Sequence, residues 1–366
     1  MKKLTAPVLL VGTASNTPEI RYATGFVAPD SAVVLHRPDQ TILVVSSMEY
    51  GRASRQAAAC TVECPETLGV PREHRSNLAQ WANAALVKYG TRTVSVNTAF
   101  PIGIARSLEA GGVTIVLDDD SCLKQARMIK SEHEIQCIVH AQQAARAAMQ
   151  AAGQAIHEAE PDRAGVLHLH GHTLTSEAVR AIIRRTVIEF GCIDEETIVA
   201  GGKSAADPHD AGSGPLKSGE WIVCDIFPRS LETGYWGDMT RTFMNGHPTS
   251  EQKRLYEAVK AAQEAALASI APGVTGDAVH AIAADTLKQA GFETGIGTDG
   301  IPYGFFHSTG HGVGLEIHEW PRLAPNAGPL RENMVVTVEP GLYYPEIGGV
   351  RLEELVVVTA NGPKIL

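Results

Sequence analysis

FFHSTGHGVGLEIHEWPR at residues 305–322 decides the fold of this 366-residue chain. It contains His307, His311 and His318, separated by glycines that let neighbouring backbone segments approach a crowded centre closely. A single histidine on an apolar face is most often a hydrogen-bonded core residue, whereas three histidines this close together favour a functional site. The stretch therefore predicts a reaction centre built where backbone segments pack tightly.

Four carboxylates stand in short strand-like stretches of the C-terminal half. Asp225 lies in IVCDIF, Asp238 in GYWGDMTRTF, Glu339 in VVTVEPGLYY and Glu353 in GGVRLEEL. A carboxylate in a buried strand is costly unless it is paired or bound to metal. Together with His311, the four negative charges balance two divalent cations. An oxygen-rich site with one imidazole suits Mn, Co or Zn better than Cu.

These five stretches, in this order, resemble the pita-bread metallopeptidases of family M24, which include methionine aminopeptidase, aminopeptidase P and prolidase. The resemblance implies an α+β catalytic domain that holds two divalent metal ions, with manganese favoured over cobalt or zinc. The implied metal ligands are Asp225, Asp238, His311, Glu339 and Glu353. The hairpin PRSLETGYWG before Asp238 is longer than the family pattern, so a longer turn is expected that leaves both aspartates on the sheet.

The same resemblance assigns catalytic roles to side chains around the metal ligands. Glu339 is expected to accept a proton from the attacking water as well as to bind metal. His209 and His318 are expected to stabilise the charge that develops on the carbonyl oxygen. His307 is expected to assist protonation of the leaving proline nitrogen, and a histidine at this position is typical of the proline-specific branch of the family.

Three further residues are expected to support ligands or bind substrate. Arg351 shares a strand face with Glu353 because strand side chains alternate, and such a neighbour commonly supports a ligand carboxylate. Tyr343 matches the family word EPGLY and is expected to bind substrate or orient a carboxylate. Arg322, in HEWPR, resembles the prolidase arginine that meets the free carboxylate of a dipeptide, although a surface arginine is an open alternative.

The predicted function is metal-dependent hydrolysis of the Xaa-Pro bond in dipeptides. Aminopeptidase P activity on longer peptides is the alternative within the proline-specific branch. Remoter alternatives are a metal-free hydrolase like creatinase and a non-catalytic binding member of the fold, against which the complete ligand set counts. Methionine aminopeptidase is disfavoured by the N-terminal half and by His307.

The N-terminal half predicts a separate, smaller α/β domain at residues 1–122, followed by the catalytic domain at residues 123–366. Strand-like runs alternate with helical ones, as in APVLLVG, SMEYGRASRQAAAC and GGVTIVLDD. The stretches IRYATGF and SAVVLHRPDQTILVVSSMEYGRA resemble the N-terminal domain of creatinases and prolidases. Ser131 and Glu134 form a capping-box pattern that predicts the start of a long helix.

Composition indicates which binding partners and which cellular compartment to expect. A net charge of −10 disfavours non-specific binding to nucleic acid or anionic membranes, so small peptides are the expected partners. The first residues read as a strand rather than a secretory signal, and six scattered cysteines fit reduced thiols. These features predict a cytoplasmic enzyme. The family resemblance adds the expectation of a homodimer.

Overall fold

The computed structural model describes residues 6–57, 59–194 and 196–366. Its contacts divide the chain into two compact units, Met1–Arg127 and Met128–Leu366. The domain boundary expected between residues 122 and 123 stays a prediction.

The first unit is one mixed sheet with helices around it. Its elements are β1 (Val8–Gly12), α1 (Pro18–Thr24), β2 (Ala32–His36), β3 (Thr41–Val44), α2 (Ser47–Gln56), β4 (Cys60–Glu63), α3 (Leu78–Lys88), β5 (Thr93–Val96), α4 (Ile102–Ala110), β6 (Thr114–Leu117) and α5 (Cys122–Met128). The strand order is β4-β3-β2-β1-β5-β6. Strand β2 pairs with β1 and with β3 in antiparallel orientation. The other three pairings are parallel: β4 with β3, β5 with β1 and β6 with β5.

Helix and strand types in this unit follow the sequence patterns, with differences at the ends. The pattern of SMEYGRASRQAAAC predicts a helix throughout, but α2 stops at Gln56 and Cys60 already begins β4. The pairing of β3 with β4 explains the difference, because Cys60 joins Thr41 in the parallel sheet register. Sheet pairing overrides the helical preference of the alanine run.

Four longer helices belong to the second unit. They are α6 (Glu132–Glu158), α7 (Ser176–Glu189), α8 (Ser250–Ser269) and α9 (Gly276–Gln289). The capping box predicted for α6 is present, because Ser131 accepts from the Glu134 backbone and Glu134 caps the Ser131 backbone in return. An alanine-rich face of α6 packs against α7 and the central strands. The buried side chain of Gln142 on α6 makes two hydrogen bonds to the Asp238 backbone. Gln142 Oε1 accepts from the Asp238 N–H at 2.7 Å, and Gln142 Nε2 donates to the Asp238 carbonyl at 2.9 Å.

Short sheets make up the rest of the second unit. Its strands are β7 (Glu160–Pro161), β8 (Leu167–Leu169), β9 (His172–Thr173), β10 (Cys192–Ile193), β11 (Ile198–Gly201), β12 (Ile222–Ile226), β13 (Arg229–Ser230), β14 (Met239–Phe243), β15 (Gly295–Ile296), β16 (Pro302–Tyr303), β17 (Gly310–Gly312), β18 (Glu319–Leu323), β19 (Val335–Val338), β20 (Gly341–Tyr344), β21 (Gly348–Arg351), β22 (Glu354–Thr359) and β23 (Gly362–Ile365). Two sheets of three or more strands dominate the site, with orders β11-β12-β14 and β18-β17-β19-β22-β23.

Close backbone approach brings these two sheets together. The Glu353 N–H donates to the Thr240 carbonyl at 3.1 Å, so the start of β22 lies against β14. Within the larger sheet, a Cβ atom on Gly310 would lie 2.0 Å from the Thr337 carbonyl oxygen, so only glycine allows β17 and β19 to pack this closely. Asp225 lies in β12 and Asp238 directly precedes β14, so the long hairpin leaves both carboxylates at the sheet.

Two further observations concern the described residues. None of their helices is both long enough and apolar enough to cross a membrane. Their six cysteines are all free thiols.

Candidate functional site

One cleft of about 990 Å³ in the second unit gathers most of the predicted site residues. Its walls include Asp225, Asp238, His311, Glu339 and Glu353, together with His209, His307, His318, Arg322 and Arg351. Tyr343 is the exception, because it is fully buried behind the wall and does not line the cleft. Residues from separate strands and loops therefore converge on one space.

The floor of the cleft holds a compact group of potential metal ligands. Ligand atoms of Asp238, His311 and Glu353 all lie within 4.8 Å of one another, and all three residues are buried. Nε2 of His311 lies 3.6 Å from Oδ2 of Asp238. A carboxylate pair with one imidazole at this spacing suits a divalent metal ion.

Asp225 and Glu339 flank this group. Oε1 of Glu339 lies 3.0 Å from Nε2 of His311, so the two side chains are hydrogen-bonded. Asp225 pairs with Thr240 in the β12/β14 register, and its Oδ2 accepts a hydrogen bond from Arg351 Nη2 at 2.7 Å. The structure thus places all five predicted ligands around one centre.

Crowded negative charge shapes the acidities at this centre. Burial, followed by the charge of Glu353, raises the pKa of Asp238 well above its usual range. Burial and the charge of Glu339 raise the pKa of Glu353 in the same way. Burial acts on Glu339 too, but the hydrogen bond and charge of His311 outweigh it and lower the pKa of Glu339 to about 2.

Two carboxylate oxygens at this centre have no hydrogen-bond partner within the described part of the protein. Among the residues described, Oδ1 of Asp225 and Oε1 of Glu353 are buried without any hydrogen-bond partner. Buried carboxylate oxygens are almost always hydrogen-bonded or bound to a cation. The residues present therefore fit divalent cations, whose charge would relieve the repulsion among the carboxylates.

Arg351 makes hydrogen bonds to several residues of the site. Besides Asp225, its guanidinium contacts Tyr343, with 2.9 Å between Nη1 and the phenolic oxygen, and Thr240, with 3.3 Å between Nε and Oγ1. The Thr240 hydroxyl donates in turn to Oε2 of Glu353 at 2.8 Å. Arg351 thus supports both Asp225 and, through Thr240, Glu353.

Two threonines that were not predicted as site residues orient the carboxylates of predicted ligands. Thr240 does so for Glu353, and the fully buried Thr337 does so for Glu339, donating to its Oε1 at 2.9 Å. The Thr337 hydroxyl also accepts the His311 N–H at 3.0 Å. Strand alternation would have identified both, because Thr240 and Thr337 each lie two residues from a predicted ligand.

His307 has both ring nitrogens engaged. Nδ1 lies 2.7 Å from the Ser308 carbonyl oxygen, and Nε2 lies 3.0 Å from the hydroxyl of Tyr343. Because the Ser308 carbonyl can only accept, the proton of the neutral ring sits on Nδ1, and Nε2 accepts a hydrogen bond from the Tyr343 hydroxyl. Burial lowers the pKa of His307, which favours this neutral form.

His318 and Arg322 are both neighbours of His311. The rings of His318 and His311 meet edge to face with centroids 4.3 Å apart. Arg322 pairs directly with His311 across the β17/β18 register, so both side chains point to the same face of the sheet. Burial and the neighbouring His311 lower the pKa of His318 to about 4, which keeps its imidazole neutral near pH 7.

The cleft is also lined by charged residues that were not predicted as site residues. Arg180 and Arg184 are one turn apart on α7, and both line the cleft. Nearby Asp194 is 6% exposed, and burial with the charge of Asp225 raises its pKa to about 7. The spacing of the two arginines was visible in the sequence, but the packing of α7 beside the site was not.

Comparison with known proteins bears on the whole chain. Residues 136–360 match metallopeptidase family M24, and residues 1–129 match the creatinase/prolidase N-terminal domain. A Xaa-Pro dipeptidase of Pyrococcus horikoshii is 30% identical over 357 residues, which cover 96% of this chain and 91% of that protein.

Solved structures agree with the sequence matches. The prolidase from Pyrococcus horikoshii OT3 has a TM-score of 0.81 at 30% identity and covers 98% of this chain and 93% of its own. An X-Pro aminopeptidase from Thermotoga maritima has a TM-score of 0.79 at 26% identity, over 98% of this chain and 95% of its own. The predicted resemblance and fold class are confirmed. The chain belongs to metallopeptidase family M24, and in its sequence the catalytic domain follows a creatinase/prolidase-type N-terminal domain.

Proposed function

We propose that this metallopeptidase hydrolyses the Xaa-Pro bond of dipeptides. The observation that carries the proposal is Arg322, which pairs with His311 across neighbouring strands and lines the same cleft as the metal-ligand group. A guanidinium fork suits the free carboxylate that a C-terminal proline presents. The Xaa-Pro dipeptidase of Pyrococcus horikoshii, similar along almost the whole chain, supports the same activity.

Two divalent metal ions per chain are part of the proposal, with manganese favoured and cobalt or zinc as alternatives. Asp225, Asp238, His311, Glu339 and Glu353 would hold them, and the orphaned oxygens of Asp225 and Glu353 support this. Such ions, when bound, acidify water near neutral pH and polarise the scissile carbonyl.

The chain's own residues would move the protons and hold the substrate. The Glu339 carboxylate accepts the proton of the attacking water, and Thr337 keeps its Oε1 oriented for this. His318, neutral near pH 7, donates a hydrogen bond to the carbonyl oxygen as negative charge develops there, and His209 on the cleft wall adds a second donor.

Protonation of the leaving proline nitrogen falls to His307 in this proposal. Its Nε2 accepts the Tyr343 hydroxyl hydrogen and carries no proton of its own. His307 therefore acts only after it exchanges that hydroxyl for the substrate and takes up the proton that Glu339 has accepted from water. Tyr343, buried and bonded to Arg351, orients His307 before the substrate binds and does not itself touch the substrate. Proline needs this help because its nitrogen carries no hydrogen and is part of a tertiary amide.

Aminopeptidase P activity is the second candidate. The likeness to the Thermotoga maritima X-Pro aminopeptidase favours it, since the fold agreement is nearly as close as for prolidase. The substrates of the two activities differ at the C-terminal side of proline. In a dipeptide the proline ends in a free carboxylate, whereas in a longer substrate its carbonyl is part of a further peptide bond.

One experiment separates the two. The purified protein is stripped with chelator, reloaded with Mn, Co or Zn singly, and assayed on Xaa-Pro dipeptides and the matching Xaa-Pro-Yaa tripeptides. We expect dipeptides to be cleaved faster in the reloaded protein. Faster cleavage of tripeptides would assign aminopeptidase activity, and hydrolysis of neither would reject both candidates.

We also propose that the enzyme works in the cytoplasm as a homodimer on small peptides, without binding nucleic acid or membranes. The net charge of −10 and the free cysteines support the compartment and the partners. Light scattering of the purified protein tests the dimer.

A further inference from the structure

A buried ion pair lies directly beside His318. Nζ of Lys130 contacts Oε1 of Glu319, the next residue in the chain after His318, and the two side chains expose only 1% and 7% of their surface. Removing two charges from water is costly, and apolar residues of similar volume often stabilise a protein as well or better. A pair in this position therefore needs an explanation other than stability.

Glycine packing fixes the carboxylate of this pair. A Cβ atom on Gly314 would lie 2.4 Å from Oε1 of Glu319 and 2.7 Å from Oε2, so the carboxylate lies against the Gly314 backbone. Any side chain at position 314 would displace the carboxylate that meets Lys130. The Glu319 carboxylate thus lies between the Gly314 backbone and the Lys130 ammonium group.

The loop before His318 is anchored independently. Residues 313–318 join β17 to β18, and the backbone N–H of Trp236 donates to the Gly314 carbonyl at 2.9 Å. The Trp236 indole also donates to the Leu315 carbonyl at 3.2 Å. At the other end of the loop, Glu319 pairs with Gly312 in the sheet. Glu319 is therefore the fixed point adjacent to His318.

We propose that Lys130 is a positioning residue that acts through Glu319 to set the His318 imidazole against His311. His318 lines the cleft with its ring against His311, whereas Glu319, the next residue, is buried and ion-paired, so the backbone beside His318 is held through Glu319. Lys130 is itself fixed, because its N–H donates to the Asn333 carbonyl at 2.9 Å. The inference rests on the proposed function, in which His318 stabilises the developing oxyanion.

Lys130→Met tests the charge while keeping the length of the side chain. We expect kcat on an Xaa-Pro dipeptide to fall about 10- to 100-fold, because a displacement of about 1 Å at a reacting group has effects of this size. KM and metal content should stay at the parent values. Lys130→Arg should restore most of kcat, since it returns a positive charge to Glu319.

A matched control is the buried ion pair of Arg127 and Glu19 in the first unit. Arg127→Met removes a cation of similar burial and should lower the melting temperature without lowering kcat. A loss of kcat in Arg127→Met equal to that in Lys130→Met would mean that any broken buried pair has this effect, and would overturn the proposal.

A double-mutant cycle with His318→Ala distinguishes positioning from a general structural role. In the His318→Ala background, Lys130→Met should lower kcat by less than about threefold, because the group that it positions is gone. Multiplicative losses would overturn the proposal.

If Lys130→Met does not fold, the double variant Lys130→Met with Glu319→Leu removes both charges and replaces it in the same double-mutant cycle. An inactive parent enzyme would contradict the proposed function, whereas an active parent with multiplicative losses would contradict only the role of Lys130.

Discussion

Nη1 of Arg351 lies 2.9 Å from the hydroxyl oxygen of Tyr343, and both side chains are buried. The same guanidinium donates to Asp225 at 2.7 Å, and the same hydroxyl reaches Nε2 of His307 at 3.0 Å. One chain of hydrogen bonds therefore runs from a predicted metal ligand to a cleft histidine. A change in its middle is expected to affect turnover without emptying the metal site.

Tyr343→Phe keeps the ring and removes the hydroxyl that bonds to both Arg351 and His307. We expect kcat to fall about 10- to 100-fold, the usual cost of losing a partner that orients a site residue, with metal content unchanged by elemental analysis. Tyr344→Phe is the matched control, because its hydroxyl bonds to the Glu293 carbonyl and lies outside the cleft lining. Equal losses in both variants would argue against the link.

Chelation should abolish hydrolysis, and Mn or Co should restore it. The repulsion among buried carboxylates gives the physical reason, since the raised pKa values of Asp238 and Glu353 mark a centre short of positive charge. Glu353→Ala should bind fewer metal ions per chain than the parent. Full activity in protein shown by elemental analysis to be metal-free would contradict the metal-dependent mechanism.

His311 and His318 should respond differently to truncation. His311→Ala should lower metal stoichiometry, because its Nε2 lies among the ligand oxygens. His318→Ala should keep the metal and lose about 10²–10³ in kcat, as for removal of a donor to an oxyanion. Metal retained in His311→Ala but lost in His318→Ala would reverse the two assignments.

Asp194 should make stability depend on pH. Its pKa in the folded protein is raised to about 7 from 3.8, so the folded state binds more protons than the unfolded state between these values. Stability contributed by the protonated form is therefore present below about pH 4 and is lost as pH rises towards 7. Asp194→Asn removes this dependence. Its melting temperature should exceed that of the parent at pH 8 by a few degrees, roughly 2–4 °C per kcal/mol, and match it at pH 4.

The sequence indicated the proposed metal ligands more readily than most of the residues that support them. The family resemblance singled out Asp225, His311 and Glu353, and each is a charged or imidazole group in an apolar or glycine-rich stretch, where such a group is costly without a partner. Lys130 gave no such signal, since its burial depends on Glu319, which is distant along the chain but adjacent in space. Likewise the end of α2 at Gln56 is set by strand pairing rather than by local preference.

Arg322 should decide substrate length. If its guanidinium meets the carboxylate of a dipeptide, Arg322→Ala removes a charged hydrogen bond worth roughly 1.5–3 kcal/mol and should slow dipeptide hydrolysis about ten- to a hundredfold. Tripeptides and an amidated dipeptide present no carboxylate there, so kcat/KM on them should change little. Arg322→Lys should recover only part of the dipeptide activity, because an ammonium group is a point charge and not a bidentate fork.

The amidated dipeptide is the internal control for Arg322, because it differs from the substrate only in the group that the arginine is proposed to bind. The parent enzyme should already prefer the free dipeptide, and Arg322→Ala should erase that preference. Equal loss on dipeptide and amide would show that Arg322 supports the β17/β18 sheet, where it pairs with His311, rather than the substrate. A parent enzyme that prefers tripeptides would move the assignment to aminopeptidase, and Arg322 would then have no carboxylate to bind.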